Sequence, residues 1–198
     1  MWDKKAVTAH FDGLAKNWDS AYDRDVIQEI LDAADIRPGV SVLDVACGTG
    51  ALFTDYLNRG VGSITGVDIS GGMIAQAEKK FSQPNVHLIR ADILACRFDR
   101  PFDRCMALDA LPYFTDHARL MRRLAGFVKP GGRLTIGQTL RRPDQPELGC
   151  TLPTAEALAS MLTPWFSPEI RQNNSQWYLV CALRSDAVAP VVPLTDRR

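Results

Sequence analysis

The 198-residue chain carries 23 basic and 23 acidic side chains, so its formal net charge is zero, and 46% of its residues are hydrophobic. That balance excludes the broad electropositive face on which non-specific nucleic-acid binding depends, and the apolar content excludes a disordered chain. No apolar run approaches the roughly 20 residues that span a bilayer, and the first residues lack the apolar stretch of a secretory signal. Cys47, Cys96, Cys105, Cys150 and Cys181 are scattered without metal-ligand spacing, which predicts free thiols, no metal and a reduced, cytoplasmic setting.

In chain order, Val26, Ile27, Ile30, Leu31 and Ala34 form one helical stripe over 25–35, stopped by Pro38-Gly39. Residues 41–45 read as a buried strand, 47–50 as a glycine turn, and 51–58 as a helix. A second strand at 63–67 precedes a helix at 73–81, and strands follow at 86–90 and 102–108. Thr115 is the expected N-cap of a helix whose stripe is Ala118, Leu120, Met121, Leu124 and Ala125. Lys129-Pro130-Gly131-Gly132 reads as a turn, 133–139 as the fifth strand, and 155–162 as the last helix. The runs 169–172 and 178–183 lie too close for a crossover helix and are expected to pair as an antiparallel hairpin. Alternating strands and helices predict an α/β fold: one doubly wound, Rossmann-like, mostly parallel seven-stranded sheet with a C-terminal antiparallel strand. A single domain is expected at 1–186 and a disordered tail at 187–198.

The strongest chemical signal is Asp44-Val45-Ala46-Cys47-Gly48-Thr49-Gly50, where a strand ends in a glycine turn that opens a helix. Such a turn brings backbone close to a ligand at the carboxyl end of the sheet. Asp68 ends the second strand 24 residues after Asp44 and is placed to accept both hydroxyls of a ribose. Together these features point to an adenosine-bearing cofactor. A nicotinamide fingerprint asks for a third glycine where this chain has Phe53. A carboxylate at Asp44 would repel a pyrophosphate but suits an ammonium group, as in S-adenosyl-L-methionine.

On these residues the chain resembles the class I S-adenosylmethionine-dependent methyltransferases, of the small-molecule type, over roughly residues 10–185. Asp44, Ala46, Gly48 and Gly50 match the family's acidic residue and glycine turn, with Ala46 standing for the first glycine. The resemblance implies that Asp44, with Cys47 as a small neighbour, supports the turn and the methionine end of the cofactor, and that Asp68 holds the ribose. It implies that Ile69 and Met73 pack on the adenine, and that Ala91-Asp92-Ile93 carries the aspartate that accepts from the adenine amine. Residues 102–109 match the fourth strand, whose end, Leu108-Asp109, flanks the methyl group. The opening Phe11-Asp12-Gly13-Leu14-Ala15-Lys16-Asn17-Trp18-Asp19 is similar to a family lid motif, here 8–24, with Phe11, Trp18 and Tyr22 as its large apolar residues.

Methyl transfer from a sulfonium is an in-line displacement, so oriented approach outweighs a general base. Asp109 is either a base or a contact for the cofactor amine, and its strand-end position favours the amine. Tyr113 stands where this subgroup often has His, which argues against a histidine base, and with Phe114 it walls the site. Arg141-Arg142 follows the fifth strand and points to an acidic substrate. Arg122-Arg123 reads as a solvated face and His87 as solvent-facing, while His10 and His117 read as structural or surface residues. The expected partner is a small-molecule substrate, with no nucleic acid or membrane, for a monomer or homodimer. Rival readings are a non-catalytic S-adenosylmethionine-binding module, a nicotinamide-dependent oxidoreductase and an aminopropyl transferase.

Overall fold

The computed structural model describes residues 3–18, 23–140, 152–174 and 176–185. Arg141-Arg142, Cys150, Asp19, Tyr22 and the tail from 187 lie outside the described residues. The elements run α1 (Lys4–Leu14), a 3-10 turn (Ala15–Asn17), α2 (Arg24–Ala33), β1 (Ser41–Val45), α3 (Phe53–Asn58), β2 (Ser63–Asp68), α4 (Gly71–Lys80) and β3 (Val86–Arg90). They continue as β4 (Phe102–Leu108), a 3-10 turn (Leu111–Tyr113), α5 (His117–Ala125), β5 (Val128–Thr139), α6 (Ala155–Leu162), β6 (Phe166–Asn173) and β7 (Trp177–Arg184).

Seven strands form one sheet in the order β3-β2-β1-β4-β5-β7-β6. The first five are mutually parallel, and β7 runs antiparallel between β5 and β6, as the short link between the last two strands requires. Successive side chains on β1 enter opposite layers. Val42 joins Ile30 and Leu31 of α2 and Phe53 and Tyr56 of α3, while Leu43 joins Leu120, Met121 and Leu124 of α5 and Leu158 of α6. Burial on both faces is why these strands read as continuous apolar runs.

Several local expectations are corrected. α1 was not expected; Asp3 caps it by accepting from Ala6 N at 2.8 Å. Asp116, not Thr115, caps α5, accepting from Arg119 N at 2.8 Å. The helix expected at 51–58 starts at Phe53, after a turn. Lys129–Gly132 is a bulge within β5 rather than a turn before it: Phe102 pairs with Val128, and Arg104 next pairs with Arg133. Asp103 anchors that bulge through Lys129 Nζ at 2.9 Å and accepts from Ser41 Oγ at 2.6 Å, contacts that hold its carboxyl down at about 2. Arg122 is exposed as expected, but Arg123 is partly buried and lies over the Phe127 ring, 4.9 Å from its centroid.

Gly66, in the middle of β2, is pressed from three sides. A Cβ there would stand 2.6 Å from Phe53 Cζ, 2.8 Å from Cys47 Sγ and 3.1 Å from Leu88 Cδ2. Strands pair with β2 on both edges, so its backbone has no room to retreat. Gly66→Ala is expected to cost about 1–3 kcal/mol by overpacking and to lower the melting temperature by several degrees. Gly13→Ala, where an added carbon meets nothing within 4 Å, is the control and leaves it unchanged or raised.

Candidate functional site

Parallel strands leave their carboxyl ends along one edge of the sheet, and the strand order reverses there between β1 and β4. A cavity of about 480 Å³ lies at this edge, lined by the residues that end or follow β1, β2, β3 and β4. After β1 the backbone turns through left-handed conformations at Ala46 (φ 57°), Gly48 (φ 56°) and Gly50 (φ 78°). A side chain is tolerated in that region only at a cost, so Ala46 is strained where the usual pattern has glycine.

The turn is held from the next strand. Asp68 Oδ2 accepts from Gly48 N at 2.9 Å, and Asp68 Oδ1 accepts from Ser70 N at 2.8 Å. Burial pushes the Asp68 carboxyl above its ordinary value, against the pull of these N–H donors. Ile69 is a third backbone donor to this carboxylate, so three of its roughly four acceptor sites are engaged within the chain. Two more N–H groups of the turn are engaged internally: Gly50 N donates to Cys47 O at 3.0 Å and Cys47 N to Val67 O at 3.2 Å.

Asp92 follows β3. Its Oδ1 accepts from Leu94 N at 2.9 Å and its Oδ2 meets Lys4 Nζ of α1 at 2.5 Å. Asp109 follows β4 with φ 51°. Its carboxylate accepts from Thr139 N at 2.7 Å, Thr139 Oγ1 at 3.2 Å and Gln138 Nε2 at 3.3 Å, all at the end of β5. Aromatic side chains close the remaining wall. Phe11 meets Tyr113 edge to face at 4.9 Å and Trp18 at 5.6 Å, and Trp18 Nε1 lies 3.7 Å from where a Cβ on Gly48 would be.

Of the expected site residues, Trp18, Ala46, Gly48, Asp68, Ile69, Met73, Ala91, Asp92, Ile93, Leu108, Asp109 and Tyr113 line this cavity. Asp44, Cys47 and Gly50 do not, and their placement is corrected. Asp44 is buried behind the turn, its Oδ2 accepting from Tyr56 OH at 3.1 Å. Cys47 points its sulfur at Gly66, and burial with Asp44 and Asp68 nearby pushes its thiol far above the ordinary value, so it is no nucleophile. Gly50 serves packing: a Cβ there would stand 2.8 Å from the Phe81 ring.

The cavity also recruits residues that the sequence reading left out: Asp3, Lys4 and Val7 from α1, and Thr115, Asp116 and Arg119 around the start of α5. Asp3, a good N-cap residue, and Val7, spaced with Phe11 and Leu14 as one helical stripe, were the signals that could have marked α1. Arg119 sits one turn before the arginine pair that drew attention. His117 Nε2 lies 3.0 Å from Leu111 O, pinning the 3-10 turn, and His87 is exposed.

Among solved and curated proteins, a family model described as a methyltransferase domain matches residues 42–132. The malonyl-[acyl-carrier protein] O-methyltransferase of Acetivibrio thermocellus is 31% identical over 141 residues, 69% of this chain and 50% of that protein. The demethylmenaquinone methyltransferase of Corynebacterium kroppenstedtii is 38% identical over 103 residues, 52% of this chain and 43% of that protein. The chain thus spans about half the length of the curated relatives it matches. The crystal structure of the N-methyltransferase NodS from Bradyrhizobium japonicum WM9, in complex with S-adenosyl-L-homocysteine, superposes with a TM-score of 0.72 at 18% identity. That likeness covers 92% of this chain and 99% of the other, and shows the fold alone.

Asp44 carries a measurable consequence of its burial. With Asp68 nearby and one hydroxyl as partner, its carboxyl is pushed up to about 7. The unfolded chain ionises it near 4, so the folded state holds the proton longer and loses stability as pH rises from about 4 to 7. Asp44→Asn removes that loss and still accepts from Tyr56. Its gain over wild type should grow across this window and level off above it at about 2–4 kcal/mol, read by denaturant melts at pH 4 and 8.

Proposed function

We propose that this chain, which belongs to the class I S-adenosylmethionine-dependent methyltransferases, transfers the methyl group of that cofactor to a small-molecule acceptor by in-line displacement. The observation that carries the reading is three carboxylates, Asp68, Asp92 and Asp109, at the carboxyl ends of β2, β3 and β4 around one cavity. The turn after β1 argues in the same direction. A pyrophosphate needs N–H groups facing it, whereas those of Cys47, Gly48 and Gly50 are spent on Val67, Asp68 and Cys47. A phosphate-free nucleoside suits this edge better than a nicotinamide dinucleotide.

In this reading Asp68 receives the ribose hydroxyls and Asp92 the adenine amine, with Ile69, Met73 and Ile93 against the adenine ring. Ala46, Gly48 and Trp18 border the methionine end, and Asp109 supplies negative charge near its amine. When bound, the cofactor supplies a methyl group already activated on a sulfonium, so the protein's task is alignment and exclusion of water. Orientation is worth up to about 7–11 kcal/mol of barrier, against about 10²–10⁴-fold for a general base. Phe11, Trp18 and Tyr113 wall the acceptor end and keep water out. Leu108 packs where the acceptor approaches.

Calorimetry with S-adenosylhomocysteine and with NADH tests the cofactor. Heat with the first and none with the second is expected; the reverse overturns the assignment. Asp68→Ala should weaken S-adenosylhomocysteine about tenfold to a hundredfold, matching one to two lost hydrogen bonds. The 2′-deoxy analogue should lose affinity on wild type and none further on the variant, and equal losses on both would move the ribose elsewhere. A metabolite screen with methyl-labelled cofactor identifies the acceptor. With that acceptor, Tyr113→Phe should keep kcat within about tenfold, while Tyr113→Ala, which opens the wall, should lose more.

A further inference from the structure

Helix α1 touches the rest of the chain at two polar points on either side of its cavity face. Near its start Lys4 reaches Asp92, and near its end Asp12 Oδ1 accepts from Ser70 Oγ at 2.6 Å and from Gly72 N at 2.8 Å. Between these points the helix lays Val7 and Phe11 over the cavity.

Ser70 is a junction rather than an ordinary neighbour. It is fully buried and caps α4 by accepting from Met73 N at 3.0 Å, while its own N–H donates to Asp68 Oδ1 at 2.8 Å. A hydroxyl has a single proton to give, and here it goes to Asp12. The Asp12 carboxylate also lies at the N-terminus of α4, where the helix dipole favours negative charge. The approach is close: a Cβ on Gly72 would stand 3.1 Å from Asp12 Cα and 3.1 Å from Ala15 Cβ. An unbroken chain of contacts therefore runs Asp12–Ser70–Asp68–Gly48, from the covering helix to the turn after β1.

We propose that Asp12 is a positioning residue that latches α1 over the cavity through Ser70, so that release of the bound nucleoside waits on the opening of this contact. The proposal rests on the reading of Asp68 as the ribose carboxylate. Lys4 on Asp92 is the weaker anchor, because its side chain is 70% exposed.

The test is stopped-flow displacement of S-adenosylhomocysteine, with amide hydrogen exchange of residues 4–14 measured with and without it. Asp12→Ala should speed release about tenfold and raise exchange in α1 while leaving α5 unchanged. Asp12→Asn, which keeps the acceptor oxygen, should restore release to within about threefold of wild type. Gly72→Ala retains every hydrogen-bonding group but wedges the helices apart, and it should also speed release and raise exchange in α1. Wild-type release and exchange in both Asp12→Ala and Gly72→Ala overturn the latch, as does an Asn variant no better than Ala. If wild type binds no S-adenosylhomocysteine, the proposed function falls instead. The latch is then still judged by exchange of α1 in the ligand-free variants.

Discussion

The carboxylate of Asp68 is the contact on which the rest of this edge depends. It stands at the end of β2 and reaches Gly48 N in the turn after β1 and Ser70 N at the start of α4. Segments 20 residues apart are thereby held in one orientation, and through Ser70 the hold extends to α1, 58 residues away. A buried carboxyl is costly unless donors surround it, and here the donors are backbone groups that would themselves be unsatisfied without it. Remove the carboxylate and Gly48 N and Ser70 N lose their acceptor, leaving Cys47 N on Val67 O to tie the turn to β2.

This edge keeps features that stability alone would discard. Among the described residues three that are not glycine have a left-handed backbone, and two of them, Ala46 and Asp109, line the cavity. Each costs of order 1–3 kcal/mol, and such strain gathers where a ligand is handled. Asp44 adds a buried acid whose only hydrogen-bond partner given by the structure is the hydroxyl of Tyr56. Burial, with another carboxylate close by, disfavours the charged form of this acid beneath the turn. A cation bound above would lower the cost of ionising Asp44, which is the electrostatic reason for tolerating it.

The sheet was legible because its parallel strands are buried on both faces, so that Val42-Leu43 and Cys105-Met106-Ala107 announce themselves as apolar runs. The carboxylates at 68, 92 and 109 were legible for a related reason: each ends or follows a strand, that of Asp92 being the half-buried edge strand β3, and ligands of open parallel sheets bind at the carboxyl ends of the strands. What escaped depends on partners distant in sequence. Gly50 looks like a cofactor glycine until the Phe81 ring, 31 residues later, fills the space beside it. Asp44 looks like a ligand contact until Tyr56 comes down from α3 to meet it. Thr115 and Asp116 are both good caps, and the packing of α5 chooses between them. α1 carries a short stripe, Val7, Phe11 and Leu14 at helical spacing, that the match to a lid motif obscured; only Val7 of it is buried, and Val7 and Phe11 face the cavity.

The two ends of the cavity divide the chemical work. Where β2 and β3 end, carboxylates meet backbone N–H groups and Lys4, so contacts there are polar and directional. At the other end Phe11, Trp18 and Tyr113 pack edge to face, and Asp109, Thr115 and Asp116 line the cavity within four residues of Tyr113 in the chain. The Asp109 carboxylate is engaged by three donors at the end of β5, which fix its orientation. In the methyl transfer proposed above, the aromatic walls and the covering helix would hold the partners in line and keep water away, so the means of acceleration would lie in geometry.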